Sequence, residues 1–153
     1  MSAIHQKLAW ARRAIVEMRK AEATASREDF QYNFGAFLGL IGAMRHFISV
    51  DPHKQWIQSL DQQDICYCSC IDLRNVDIQV DTASPVGASF FVNANALPAT
   101  FTEHAYTHKP RPTKSEEEYI LRTTPAVEIA ERALDFYAST VLPGARSRGI
   151  EIT

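Results

Sequence analysis

Ile4, Leu8, Ala11, Ile15 and Met18 recur at intervals of four and three residues, the period of one face of an α-helix. The pattern predicts a helix over residues 3–24. Ala3, Trp10, Ala14 and Ala21 widen its apolar stripe, while Arg13 and Lys20 lie opposite. Neither Gly nor Pro interrupts the segment, so propensity agrees with pattern. A second helix is expected from Ser26, a capping residue ahead of the anion-rich turn Glu28-Asp29. Phe30, Phe34, Phe37, Ile41, Met44 and Ile48 carry its main face to about Val50. Gly35, Gly39 and Gly42 form a second stripe that His46 continues, and Leu40 and Phe47 take a third direction. Being apolar nearly all round, this helix is expected to be buried nearly all round, at the centre of a bundle. Each interior glycine costs roughly 1 kcal/mol relative to alanine. Three on one stripe point to close approach by another helix, in this chain or in a second copy.

Asp51-Pro52 suits the start of a short helix around His53–Leu60. A further helix is expected over Asp64–Val80. Ile65, Ser69, Leu73, Val76 and Val80 share one face, with Cys66 and Cys70 beside them. Tyr67, Ile71, Arg74 and Ile78 make a second face, and the β-branched content keeps a strand open as the alternative for Ile71–Val80. From residue 81 to 124 helical periodicity vanishes and Pro85, Pro98, Pro110 and Pro112 break the chain. Ala88–Asn93 and Thr100–His108 read as short strands of a hairpin, and Ser115 with Glu118 as a capping box for one helical turn. Thr124-Pro125 opens the last helix, with Val127, Ala130, Leu134, Tyr137 and Val141 as its apolar face; Pro143-Gly144 is expected to stop it before a loose tail. The expected fold is mainly α: a four-helix bundle with an irregular or β-hairpin insertion before the last helix. It forms a single domain, 1–153, with first helices in 1–80, insertion in 81–124 and final helix in 125–142.

Charge sharpens this picture in one respect. The net charge of −2 gives no general reason to expect nucleic-acid affinity. Yet residues 1–27 carry six Lys/Arg against Glu17 and Glu22, leaving the remainder acidic, so an anion-binding surface should involve the first helix. Charged residues interrupt the first thirty positions, which excludes a secretory signal. The uncharged stretch Phe30–Met44 is too short and too polar to span a bilayer. A cytoplasmic protein with no membrane contact is expected.

Cys66, Cys68 and Cys70 crowd into five residues. On a helix Cys66 and Cys70 share a face while Cys68 points elsewhere, so three thiolates cannot converge on one ion. Buried, reduced cysteines are expected, with no metal and no cofactor. His104 and His108, with Glu103, have metal-compatible chemistry but lack a strong third ligand nearby in sequence.

The segment Asp72-Leu73-Arg74-Asn75-Val76-Asp77-Ile78-Gln79 is the most informative in the chain. An Arg-Asn pair late in a bundle helix resembles the signature of HEPN domains (higher eukaryotes and prokaryotes nucleotide-binding). The long first helix, the phrase Gly35-Ala36-Phe37-Leu38-Gly39 in an aromatic-rich second, and Trp56 in the connector extend the resemblance over residues 1–80. It implies a four-helix domain, usually dimeric, of a kind that often cleaves RNA without a metal, using the Arg and a histidine shortly after it. Arg74 and Asn75 match that motif, but the positions where its histidine belongs hold Gln79, Val80 and Asp81. Histidine serves such cleavage because its pKa of ~6.5 lies near working pH. Glutamine hydrogen-bonds but does not titrate. The resemblance therefore implies a module that binds RNA or a nucleotide, or dimerises, without cutting.

Arg74, Asn75 and Gln79 are the candidate ligand-binding residues, with Arg45 and His46 as neighbours. Each has a plainer alternative. Arg74 can pair with Asp77 or another acid, and Asn75 can tie helix ends together. Arg45, the one charged residue between Asp29 and Asp51, needs an acceptor if buried, for which Asp72 or Asp77 are candidates. Two rival functions stand beside the binding module. One is a metal-independent ribonuclease drawing its histidine from elsewhere, such as His46. The other is a protein-interaction module of a defence or toxin–antitoxin system, with an unknown protein partner.

Overall fold

The computed structural model describes residues 3–49, 53–74, 80–82, 89–93 and 114–150, and these are mainly helical. Helix α1 (Ala3–Ala23) buries Ile4, Leu8, Ala11, Ala14, Ile15, Met18 and Ala21, the stripe read from its period. Trp10 departs from that stripe and is 48% exposed. Ala25, at φ 52°, reverses the chain. The Ser26 amide returns to the Ala21 carbonyl and the Ala25 amide to Glu22, the hydrogen-bond pattern that closes a helix on a left-handed residue.

Helix α2 (Arg27–Ile48) starts as expected, with the Ser26 hydroxyl accepting from the Asp29 amide at 3.3 Å. Phe30, Phe34, Phe37, Ile41, Met44 and Ile48 are fully buried against α1 and the later helices. The expectation that α2 is buried all round fails. Gly35, Ala36, Gly39 and His46 are exposed, and among the described residues no other group approaches within 4 Å of where a Cβ on Gly35 or Gly39 would stand. Glycine counts as apolar in a pattern yet brings no side chain to bury, so the period overstated this face.

The most enclosed helix is α4 (Ile65–Leu73), which follows the short α3 (Lys54–Leu60). The Asp64 carboxylate caps it from the Tyr67 amide at 2.9 Å. Of its residues, Cys66 through Ile71 and Leu73 are all buried. It packs on α2, on α5 (Lys114–Thr123) and on α6 (Ala126–Phe136), where the Tyr67 and Phe136 rings lie 5.1 Å apart. Helix α4 ends at Leu73, short of the expected Val80. Val80 instead begins strand β1 (Val80–Thr82); of the strand alternative for Ile71–Val80, Ile71–Leu73 are helical and only Val80 is extended among the described residues. β1 pairs antiparallel with β2 (Phe90–Val92), Val80 opposite Val92; the second strand expected at Thr100–His108 lies outside the described residues. Residues 94–113, which include His104 and His108, lie outside the described residues. Phe90 seats β2 on α2, its ring 4.7 Å from Phe30.

Helix α5 is longer than the single turn expected at Ser115 and turns Glu117 and Leu121 inward. Helix α6 buries Val127, Ala130 and Leu134 as read from the sequence. Pro143-Gly144 does not stop it. A wide π-turn (Tyr137–Val141) carries the chain into α7 (Leu142–Ser147), its Leu142 amide reaching back to the Tyr137 carbonyl. Proline has no amide to give, and the widened turn just ahead of Pro143 lets the helix continue through it. The expected loose tail is ordered as far as Ile150, which is buried behind a left-handed Gly149. No helix among the described residues is long and apolar enough to cross a membrane.

Candidate functional site

The open face of α2 and the end of α4 enclose a shallow depression of about 320 Å³, lined by Gly39, Gly42, Ala43, His46 and Arg74. Arg74 caps the C-terminus of α4 in helical conformation and leans across α2. A Cβ on Gly42 would stand 2.8 Å from Arg74 Cδ and 3.7 Å from Nη1. The missing side chain at 42 is therefore what lets the arginine stem lie flat on the helix. His46 follows Gly42 by four residues and so shares its face. The depression thus has a floor of bare backbone and small residues, rimmed by a guanidinium and an imidazole. That chemistry suits an anion with a flat group attached: Arg supplies paired N–H donors for phosphate, and the glycine surface admits close contact.

Of the residues singled out in the sequence, the fold brings Arg74 and His46 together. Arg45 faces away from them. Its Nε and Nη2 donate to Asp61 Oδ1 and Oδ2 at 3.0 and 2.6 Å, a two-pronged ion pair with Asp61 1% exposed. Asp61, at the end of α3, is thus an acceptor the sequence did not single out; of the two acids expected, Asp77 lies outside the described residues. Asn75 and Gln79 lie outside them as well.

Tyr67 is fully buried, and its hydroxyl makes no hydrogen bond among the described residues. Burial pushes this phenol well above its ordinary pKa, Asp61 adds to the shift, and Arg45 and Arg74 oppose it. Tyr137 is also raised by burial, and its hydroxyl donates to the Met44 carbonyl at 3.1 Å. Neither phenol can serve as a base near neutral pH.

The three cysteines are buried and unbridged. Burial raises the thiols of Cys66 and Cys70, in keeping with their reading as small apolar residues. Cys68 has different company. Its Sγ lies 3.8 Å from Asp72 Oδ2, and one donor atom each from Cys68, Asp72 and Glu117 falls within 4.8 Å of the others. Glu117 was missed in the sequence, hidden in the acidic run Glu116-Glu117-Glu118. Its spacing to Leu121 and Thr124, both buried, is the signal that sets it on the inner face of α5.

Comparison with protein-family models, curated proteins and solved structures returns no match for this chain.

Proposed function

We propose that this chain is a HEPN-like module of the cytoplasm, a four-helix bundle of α1, α2, α4 and α6 that binds RNA or a nucleotide through phosphate and does not cleave it. The observation that carries the reading is Arg74, the arginine of the motif, laid over Gly42 with its head at the rim of an open depression. The absence of histidine at 79, 80 and 81 removes the group that would exchange protons with the 2′-hydroxyl and leaving oxygen. A homodimer belongs to the same proposal. The face formed by Gly35, Gly39 and Ala43 is open enough for a second helix to approach closely, and it adjoins Arg74. Fluorescence anisotropy with a short single-stranded RNA tests the binding. Affinity should fall with salt, as phosphate contacts release counterions, and Arg74→Ala should abolish it. Unchanged affinity in Arg74→Ala would reject the site.

A second reading draws on His46 at the same rim. If the imidazole replaces the motif histidine, the protein is a metal-independent ribonuclease. RNA cleavage that survives EDTA and is lost in both Arg74→Ala and His46→Ala would favour it over simple binding. Capture of a protein partner with no RNA affinity would favour the interaction module.

A further inference from the structure

Behind α4, away from the open face of α2, two helices converge three metal-compatible donors. Cys68 and Asp72 stand four residues apart and so share one face of α4, with Sγ and Oδ2 3.8 Å apart. Glu117 enters from the first turn of α5, and all three donor atoms fall within 4.8 Å of one another. Cys68 and Glu117 are fully buried. The Ser69 hydroxyl lies 3.5 Å from Glu117 Oε1 and orients that carboxylate. We propose that Cys68, Asp72 and Glu117 bind a zinc-class divalent cation that joins α4 to α5.

Two arguments support the assignment. In a tetrahedral zinc site, bond lengths of about 2.3 Å to sulfur and 2.0–2.2 Å to oxygen place the donors roughly 3.5 Å apart. The Cys68–Asp72 spacing is already close to that value, and a small inward shift of Glu117 completes the set. Two carboxylates and a thiol are also a donor set that one divalent cation can join at once. The thiolate selects a borderline-soft ion such as Zn2+ over Mg2+ or Ca2+. Binding displaces the Cys68 thiol proton to solvent, so affinity falls as pH is lowered. The three thiols do not converge on one ion, as the helix geometry requires. The second and third donors are carboxylates, one of them 49 positions along the chain from Cys68.

Cobalt(II) titration of the full chain tests the site, since cobalt replaces zinc and reports sulfur ligation by a charge-transfer band in the near ultraviolet. One equivalent should bind, giving that band, and zinc should displace it. Cys68→Ser should lose the band, whereas Cys66→Ser should keep it. Glu117→Gln should weaken binding by about 10–100-fold, the scale of a disturbed metal shell. Far-UV circular dichroism checks that each variant is folded. If Glu117→Gln unfolds, Asp72→Asn, at a half-buried position, reads out the same loss. No stoichiometric cobalt binding in the parent would overturn the proposal, as would a band that persists in Cys68→Ser. Because the readout is metal ligation, the result is independent of whether Arg74 binds RNA.

Discussion

Arg74 rests on Gly42 so closely that even a methyl group at position 42 would meet its Cδ at 2.8 Å. Stability and binding should therefore separate in Gly42→Ala. The flexible arginine stem can lift away, and alanine contributes about 1 kcal/mol of helix propensity. The melting temperature should hold or rise, while RNA affinity falls by about tenfold, near the lower end of the ~1.5–3 kcal/mol of a charge-assisted hydrogen bond. Thermal melts and anisotropy on the same sample check both halves. Unchanged affinity would show that the arginine does not need the space.

One turn earlier on the same stripe, Gly39 has open space around it among the described residues. Read from sequence alone, Gly39→Leu should overpack a helix contact, in this chain or with a second copy. With no described group within 4 Å of its Cβ position, the same substitution should leave the monomer's unfolding midpoint near the parent's. It should instead obstruct a second copy, so light scattering should report a dimer for the parent and a monomer for the variant. A variant that retains dimer mass would reject the α2 face as the contact.

Arg45 and Asp61 form a buried two-pronged pair. Asp61→Ala removes the acceptor of both prongs and should cost up to about 3–5 kcal/mol, the range for breaking a buried pair from one side. Urea unfolding measures it. A loss well under 1 kcal/mol would mean that the arginine finds water.

Glu22 gives the fold a pH dependence of known sign. Its carboxylate accepts from the Phe90 amide at 3.3 Å. Burial raises its pKa, the Phe90 amide and Arg19 pull it down, and Glu131 raises it again, with a net upward shift. The folded chain therefore holds this proton to higher pH than the unfolded chain does. Its contribution falls as pH rises from the unfolded value through the folded one. Glu22→Gln keeps an acceptor for Phe90 and removes the titration. The variant's melting temperature should gain on the parent's as pH rises above the ordinary glutamate pKa of about 4.3; a constant difference would contradict the shift.

Gly144 is needed for a different reason. A Cβ there would lie 2.5 Å from Trp56 Cζ2, in a ring that also carries the Arg148 guanidinium 4.0 Å from its centre. Gly144→Ala should push Trp56 off α7 and destabilise by about 1–3 kcal/mol, with a change in tryptophan fluorescence marking the displaced ring.

Side chains large enough to bury made the helices readable. The α1 stripe, the phenylalanine face of α2 and the Val127–Val141 face all follow from period alone. Glycine misled, since Gly35 and Gly39 scored as apolar while contributing nothing to bury. Long-range pairing stayed hidden: no local pattern says that Arg45 reaches Asp61 or that Glu117 reaches Cys68. The Arg74–His46 rim was half legible, because the stripe that ends in His46 could be drawn but not what would cross it. Proline misled at the other end, since Pro143 reads as a stop only if the preceding turn has ordinary width.

That wide turn, Tyr137–Val141, is in effect a frame shift written into a helix. It holds one residue more than an α-turn, so the chain beyond it is rotated by about 100° from where an unbroken helix would carry it. Leu142 and Ala145 thereby take over the inward positions, and Gly144 and Arg148 come round to Trp56. Substitutions within the turn leave this phase intact, whereas loss of a single residue resets it and withdraws the surface on which the α3 tryptophan sits. A homologue without the wide turn should align with this chain only across a one-residue gap between 137 and 141, and its partner for the tryptophan should lie elsewhere.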